Sequence, residues 1–262
     1  MGNDTVKKIL MVSFFLSIIC SVLVSGSAIS LKDRQKKNKI MDVKRNLLIS
    51  SGVINPDVTD EQKILRAYEN VTELAVDINT GAVLDDIDVA SIDYRKLAKT
   101  PGKNILLNSG KDIAKIKKIS KVSKVYLVKN KSNQVEKIVL PVYGKGLWST
   151  MHGFLALSPD TKTIKGLGFY EHGETPGLGG EIDNPDWKKL WVNKVALNGE
   201  YQPQIVVVKG KVDHVKKSNK NKVDGLSGAT ITAQGVQALV NFWVSDSGFG
   251  PFLTKYRNGE IL

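Results

Sequence analysis

The sequence of 262 residues is 42% hydrophobic and 24% charged, a balance typical of folded proteins that excludes wholesale disorder. Its one cysteine excludes a disulfide framework, a thiolate zinc site and a cysteine-ligated iron–sulfur cluster. The three histidines are far apart, which argues against a histidine-rich centre, and we predict no metal site. The formal net charge of +12 fits an anionic partner, whether a polyanion, a membrane surface or an acidic protein.

A long uncharged segment occupies residues 9–31. As a helix it would span roughly 34 Å, enough to cross a hydrocarbon core of about 30 Å. We therefore predict a retained membrane anchor over residues 1–32. A cleaved signal peptide is the alternative, because Lys7 and Lys8 precede the apolar stretch and small residues at 26–28 end it.

The charges around this anchor give conflicting signals about orientation. Two lysines precede the apolar segment and five basic residues follow it within residues 32–39, so the positive-inside rule places the following domain in the cytoplasm. The start of the chain, which resembles a signal peptide, favours export instead. We predict that residues 33–58 form a solvated tether or juxtamembrane helix, with contact to anionic headgroups as the alternative, and that residues 59–262 form one domain.

Hydrophobic periodicity and turn residues predict an α+β domain in which helices pack on a mixed or antiparallel sheet. The predicted helices are residues 43–50, 60–70, 185–192 and 232–247, and the predicted strands are residues 71–78, 121–129, 135–142, 153–157, 163–170 and 204–209. The polar residues 130–133 predict a hairpin between the second and third of these strands. Two lysine-rich stretches, residues 111–124 and 209–222, alternate with these elements. The first has no aromatic residues between its lysines, so we predict a solvated face and no nucleic-acid binding.

A glycine-rich segment at residues 166–182 contains six glycines and several charged residues. Glycines at this density allow the backbone to approach a planar or phosphorylated ligand closely. The G-L-G-F-Y-E start lacks the third glycine of a dinucleotide fingerprint and no helix follows it, which argues against a nicotinamide site. A purely structural Ω-loop is the alternative.

Two further patches complete the candidate site. The sequence DGLSGATIT at residues 224–232 leads into a helix, whose N-terminus is a natural seat for phosphate. Ser227 and Thr230 could instead be ordinary helix caps. The third patch, residues 143–153, contains Trp148, which either stacks on a ring or belongs to the core.

Together the three patches resemble the covalent FMN-binding subunit of the bacterial sodium-translocating NADH:quinone reductases. They read GKGLWSTMHGFLAL, FYEHGETPGLGGEIDNP and DGLSGAT, in that order along the chain. The resemblance implies that FMN is attached as a phosphoester to Thr230. The other residues of the motif that a flavin transferase would recognise are Asp224, Ser227, Gly228 and Ala229. The residues implied to lie against the flavin are Trp148, His172, Glu174, Thr175, Gly177, Leu178 and Gly179.

The resemblance also implies a role and a location. The chain would relay electrons between redox centres on other subunits, without a catalytic residue or an NADH site of its own. Its domain would lie on the periplasmic side of the inner membrane. We give this implication more weight than the count of flanking lysines, which favours the cytoplasm. Candidate residues for adjusting the flavin potential are Lys145, Lys165, Glu171, His172 and Glu174, because a nearby cation stabilises a reduced flavin anion and a carboxylate opposes it.

Three alternatives remain at this point. The nearest is the corresponding flavin subunit of the ferredoxin:NAD reductase complex, which shares the flavin attachment motif and the anchor. The others are a membrane-anchored structural subunit of the pseudopilin type and a basic polyanion-binding module. The chain lacks the cleavage site and the early glutamate of a pseudopilin. Polyanion binding would depend strongly on salt and would involve no chromophore.

Overall fold

A computed structural model describes residues 3–261. The helices are α1 (Asn3–Ser50), α2 (Glu61–Tyr68), α3 (Tyr94–Lys99), α4 (Pro185–Lys189), α5 (Thr230–Val244) and α6 (Gly250–Arg257). The strands are β1 (Val71–Asp77), β2 (Asn104–Leu106), β3 (Lys118–Ser120), β4 (Val122–Lys129), β5 (Val135–Lys145), β6 (Thr150–Leu157), β7 (Ile164–Glu171), β8 (Val206–Val207) and β9 (Lys222–Val223). A long apolar helix followed by helices packed on an antiparallel sheet confirms the predicted α+β class.

The central sheet has five antiparallel strands in the order β1-β4-β5-β6-β7. The predicted hairpin of residues 121–142 is confirmed, since β4 pairs with β5 with Tyr126 opposite Val139. Strands β5, β6 and β7 were also predicted, although β6 begins three residues earlier than expected, at Thr150. Trp148 lies between the end of β5 and the start of β6, and the glycine-rich candidates follow the end of β7. The antiparallel pairing of these strands therefore brings them to one end of the sheet.

One face of this sheet packs against α5 and α6. The buried cluster on that side combines Val142 of β5 and Leu155 of β6 with Val236 and Val240 of α5. These helix positions are four apart, as the predicted amphipathic pattern requires. Helix α5 starts at Thr230, two residues before the predicted start. The earlier start makes Thr230 the first helical residue.

Helix α1 runs without interruption from Asn3 to Ser50, and the prediction of a separate helix at residues 43–50 was wrong. The basic stretch contains neither proline nor glycine between residues 32 and 50, so nothing in the backbone ends the helix there. Its most apolar 18-residue window has a mean hydropathy of 2.4. Within residues 3–261 it is the one helix long and apolar enough to be a candidate membrane span.

The chain divides between Val43 and Lys44 into two compact units, so the last turns of α1 belong to the folded domain. Leu47 and Leu48 of these turns and Ile64 of α2 are completely buried. They cover the second face of the sheet, where Tyr126 and Phe154 are also buried. The helix that contains the candidate membrane span therefore ends as a structural element of the domain.

The first two glycines of the glycine-rich segment explain how the end of α1 fits against the sheet. A Cβ atom on Gly166 would collide with the Ser50 carbonyl oxygen, and one on Gly168 would collide with the Ser50 hydroxyl. Both glycines lie on β7, two residues apart and therefore on the same face. Both glycines are needed for packing. This explains the G-L-G sequence without a dinucleotide-binding site.

Candidate functional site

The three sequence patches meet at the end of the sheet. A Cβ atom on Gly228, in the loop before α5, would lie 2.9 Å from Leu178 Cδ2 in the glycine-rich segment. The Thr232 hydroxyl in the first turn of α5 donates to Glu174 Oε2 at 2.6 Å. The Trp148 backbone N–H donates to Glu174 Oε1 at 3.1 Å. The glycine-rich segment therefore joins the other two patches.

Glu174 is the centre of these contacts. Its side chain is buried, with a residue exposure of 4%, and five neutral donors surround its two oxygens. They are the backbone N–H groups of Leu147, Trp148 and Ser149 at 3.1, 3.1 and 3.0 Å, the Ser149 hydroxyl at 3.2 Å and the Thr232 hydroxyl at 2.6 Å. A buried carboxylate is stable only when such donors replace its water shell, and here they do.

These hydrogen bonds also decide the charge of Glu174. Burial alone would raise the pKa of its carboxyl group, but the bonds from the Thr232 hydroxyl and the backbone of residues 147–149 favour the ionised form more strongly. The net pKa lies below its ordinary value of 4.5, so Glu174 is negatively charged at neutral pH. Two glycines make room for it: a Cβ on Gly146 would lie 2.5 Å from Oε1, and one on Gly179 would lie 2.9 Å from Oε2.

His172 fixes the start of the same loop. Its Nδ1 accepts from the Glu174 backbone N–H at 3.2 Å, so Nε2 carries the proton and donates to Asp183 Oδ2 at 2.7 Å. Farther along, the Thr175 carbonyl accepts from the N–H groups of Leu178 and Gly180 at 3.1 and 2.9 Å. The loop is thus held by its own hydrogen bonds, and the polar atoms of the His172 ring already have partners.

Thr230 lies exposed at the start of α5, next to the buried Ala229. The N-cap residue is Ala229, and no side chain caps the helix, so the interpretation of Ser227 and Thr230 as caps was wrong. An uncapped helix start leaves backbone N–H groups and the positive end of the helix dipole available to an anion. The Thr230 hydroxyl is therefore placed where an attached phosphate would be stabilised.

A cavity of about 640 Å³ opens beside Thr230. Its walls include Ser227 and Gly228 of the motif, Trp187 of α4, and a stretch of the second lysine-rich segment. The volume is in the range of pockets for small ligands and cofactors, about 300–1,000 Å³. The residues implied to lie against the flavin do not line this cavity, and this holds for all seven: Trp148, His172, Glu174, Thr175, Gly177, Leu178 and Gly179.

Large apolar side chains stand exposed around the same site. Trp148 is 68% exposed, so the interpretation of this residue as part of the core was wrong. Leu178 and Ile231 are 45% and 56% exposed. None of the three side chains lines the cavity, although Leu178 lies near its wall residue Gly228 and Ile231 follows Thr230. Exposed apolar side chains of this kind are typical of surfaces that bind a planar ligand or a partner. The hydroxyl of Thr230, the helix start, the cavity and these side chains together fit a flavin mononucleotide.

Asp224, the first residue of the motif, is occupied by contacts within the protein. Its Oδ1 accepts from the Val212 N–H at 2.9 Å and from His214 Nε2 at 2.7 Å, and its carbonyl oxygen accepts from Trp187 Nε1 at 2.9 Å. His214 Nδ1 in turn accepts from Lys194 Nζ at 2.9 Å. Asp224 thus joins the motif to the segment that precedes it and to the cavity wall.

Lys194 and His214 were not among the site residues predicted from the sequence. Lys194 is 7% exposed, and burial lowers the pKa of its ammonium group while Asp224 partly opposes the change. A histidine ten residues before Asp224 in an otherwise lysine-rich stretch was the one available signal. The partner lysine, 20 residues farther back along the chain, left no signal.

The remaining candidates for adjusting a flavin potential are dispersed. Glu171 accepts two bonds from Arg95 Nη1, at 2.7 and 2.9 Å, which balance its charge. Lys165 contacts Asn193 and lines a different cavity from Thr230. Lys145 has an exposed side chain at the end of β5. Of the five candidates, Glu174 bonds Thr232 in the first turn of α5, and His172 bonds the Glu174 backbone N–H.

Known proteins resemble this chain over nearly its full length. A family model for an FMN-binding domain matches residues 146–245, which include the three patches of the site except residues 143–145. The NqrC protein of the Na(+)-translocating NADH-quinone reductase from Yersinia pestis is 39% identical over 260 residues, or 99% of this chain and 96% of that protein. Its counterpart from Vibrio vulnificus strain YJ016 is 42% identical over 261 residues, or 99% of both chains.

This chain belongs to the NqrC family of Na+-translocating NADH-quinone reductase subunits. The fold supports the assignment, because the crystal structure of Shewanella oneidensis NqrC matches with a TM-score of 0.75 and 34% identity, over 86% of this chain and 99% of that one. NqrC from Parabacteroides distasonis matches with a TM-score of 0.62 and 27% identity, over 86% and 97%. The chain is thus a subunit of an oxidoreductase complex and carries an FMN-binding domain.

Proposed function

We propose that this NqrC chain holds FMN covalently through a phosphoester to Thr230 and relays electrons between redox centres on other subunits. The observation that carries the proposal is the exposed Thr230 hydroxyl at the uncapped start of α5, beside a cavity of about 640 Å³. The S-G-A-T sequence at this point and the FMN-binding family model over residues 146–245 support it.

Each part of the site has a role in this proposal. The Thr230 oxygen forms the bond to phosphorus and loses its proton, while a flavin transferase removes the leaving group from an activated flavin donor. The start of α5 stabilises the charge that remains on the phosphodiester. Trp148, Leu178 and Ile231 would lie against the flavin ring and would keep water from it. Bound FMN supplies the electron-carrying chemistry, and the chain supplies attachment, position and electrostatics.

Covalent attachment is tested by flavin fluorescence of the denatured band on a gel, after coexpression with a flavin transferase. Denaturation removes flavin that is not covalently bound, so the wild-type band should fluoresce and Thr230→Ala should be dark. The matched control is Thr59→Ala, which removes an exposed threonine hydroxyl outside both the motif and the cavity wall, so its band should fluoresce like the wild type. A fluorescent Thr230→Ala band would show that the attachment site lies elsewhere.

We also propose that the domain lies on the periplasmic side of the inner membrane. A flavin transferase acting there would meet the exposed Thr230 directly. The test is a reporter enzyme that is active only outside the cytoplasm, fused after residue 262. Activity supports the orientation, whereas activity of a reporter that works only in the cytoplasm would reverse it and leave the positive-inside rule as the better guide.

A further inference from the structure

A lysine-rich segment lies directly beside the proposed flavin site. We name residues 209–222 the lysine loop. Its basic residues are Lys209, Lys211, Lys216, Lys217, Lys220 and Lys222, and its one acidic residue is Asp213. Lys209 and Lys211 line the same cavity as Thr230. A net charge of about +5 is thus placed next to the point where electrons would enter or leave the protein.

The lysine loop is held in a fixed position. His214 donates to Asp224 at 2.7 Å, and the buried Lys194 donates to His214 at 2.9 Å and to the Asn219 carbonyl at 3.3 Å. Asn219 Nδ2 also bonds the Asp213 carbonyl at 2.9 Å. The inner side of the loop is therefore anchored to the motif that contains Thr230, while all of its lysines except the half-buried Lys222 are exposed.

The outer side of the lysine loop has few partners of its own. Lys216 is 3.6 Å from Asp213, and both side chains are largely exposed, so solvent screens this contact strongly. Val215, between His214 and Lys216, is 92% exposed. A fixed, cationic surface with an apolar side chain at its tip has the composition of a docking surface for an acidic partner.

We propose that the lysine loop docks an acidic surface of another subunit of the reductase complex. Because the chain is a subunit of such a complex, protein partners are present. The loop contains no tryptophan, tyrosine or phenylalanine, the residues that anchor proteins at membrane interfaces and stack on nucleic-acid bases. Complementary charge orients two electron-transfer partners without a large interface. The proposal rests on the proposed function only for the position of the flavin.

The experiment is carbodiimide cross-linking of the complete complex in membranes, at low and at high salt. The reagent joins a lysine amine to a touching carboxylate as an amide, with the lost water taken up by the carbodiimide. The test variant is Lys216→Gln, Lys217→Gln and Lys220→Gln, which leaves the cavity lysines in place. The matched control is Lys63→Gln, Lys129→Gln and Lys131→Gln, on α2 and the β4–β5 hairpin at the other end of the sheet.

We expect cross-linked peptides that join the lysine loop to aspartate or glutamate residues of a partner protein in the complex. Their yield should fall several-fold in the loop variant and at high salt, and should stay at the wild-type level in the control variant. Loop lysines that form no cross-link to another subunit, while other lysines of the chain do, would overturn the proposal. The proposal would also be overturned if the protein bound vesicles containing phosphatidylglycerol, and if the loop variant abolished this binding but left the cross-links to other subunits unchanged.

Flavin fluorescence of the same denatured samples separates the two proposals. A dark wild-type band with loop cross-links present would contradict covalent flavin and leave the docking surface standing. A fluorescent band without loop cross-links would support covalent flavin and contradict the docking surface.

Discussion

At the scale of single residues, the site depends on the negative charge of the buried Glu174 carboxylate. Glu174 accepts five hydrogen bonds, four from residues 147–149 between β5 and β6 and one from Thr232 of α5, and each donor would lose this partner without it. Buried donors without partners cost more free energy than a typical hydrogen bond contributes. Glu174 is therefore a positioning residue, which assembles the surroundings of Thr230 before any flavin is attached.

Replacing Glu174 should destabilise the fold as well as the site. For Glu174→Gln we expect the free energy of unfolding to fall by about 2–3 kcal/mol, because the amide nitrogen faces donors where the carboxylate accepted bonds. Urea unfolding of the full chain in detergent, followed by tryptophan fluorescence, measures the change. Glu181→Gln, in the same segment but bonded only to the exposed Asn184 side chain, should change the stability by less than about 0.5 kcal/mol. Equal effects of the two substitutions would contradict the positioning role.

The charge of Glu174 also predicts a pH dependence. Its pKa in the folded state lies below the ordinary value of 4.5, so the unfolded chain takes up the proton first as the pH falls. The stabilisation is complete above about pH 5 and is lost as the pH falls from there through the folded-state pKa. Wild-type stability should therefore decrease more steeply than that of Glu174→Gln below pH 5. Parallel acid limbs of the two stability curves would show that the carboxyl group has the same pKa in both states.

At the scale of elements, the end of α1 does two jobs. Its last turns belong to the compact unit that starts at Lys44, and their apolar side chains seal the second face of the sheet. The same helix contains the candidate membrane span. The compact unit therefore starts within residues 33–58, for which a tether or juxtamembrane helix was predicted, and before residue 59, where the domain was expected to begin.

The dual role of α1 makes its final turns sensitive to substitution. Leu48→Ala should lower the free energy of unfolding by about 2–5 kcal/mol, because a completely buried leucine would leave a cavity. Ile40→Ala, which changes a half-exposed residue of the same helix before the boundary, should have little effect. Thermal unfolding of the two variants in detergent compares them. Similar melting temperatures would mean that α1 does not contribute to the folded domain.

At the scale of the whole molecule, the sequence was most informative where motifs and periodicity were long. The alternation of residues 121–142 predicted the hairpin, and three ordered patches predicted which loops would meet. The short strands β2 and β3 and the helix α3 were missed, because elements of three to six residues depend on tertiary contacts more than on local preference. The continuity of α1 was missed because a change in polarity was taken for a break in structure.

The polar network around the site could not be predicted for a different reason. Glu174 and Thr232 are 58 residues apart, and Lys194 is 20 residues from His214. No spacing rule connects residues at such separations, since their contact depends on how the strands pair. Glu174 was a candidate for contact with the flavin, and only the geometry reveals that its oxygens are engaged elsewhere.

The glycine-rich segment has a consequence for genetics. Gly166 and Gly168 admit Ser50, whereas Gly179, farther along the same segment, admits the Glu174 carboxylate. Neighbouring mutations in one conspicuous stretch would therefore separate into two phenotypes. Alleles in the first half would lower the amount of protein in the membrane, and the protein that survives would be normal. Alleles in the second half would displace Glu174, so they would lower the amount of protein and the protein that survives would also mature poorly.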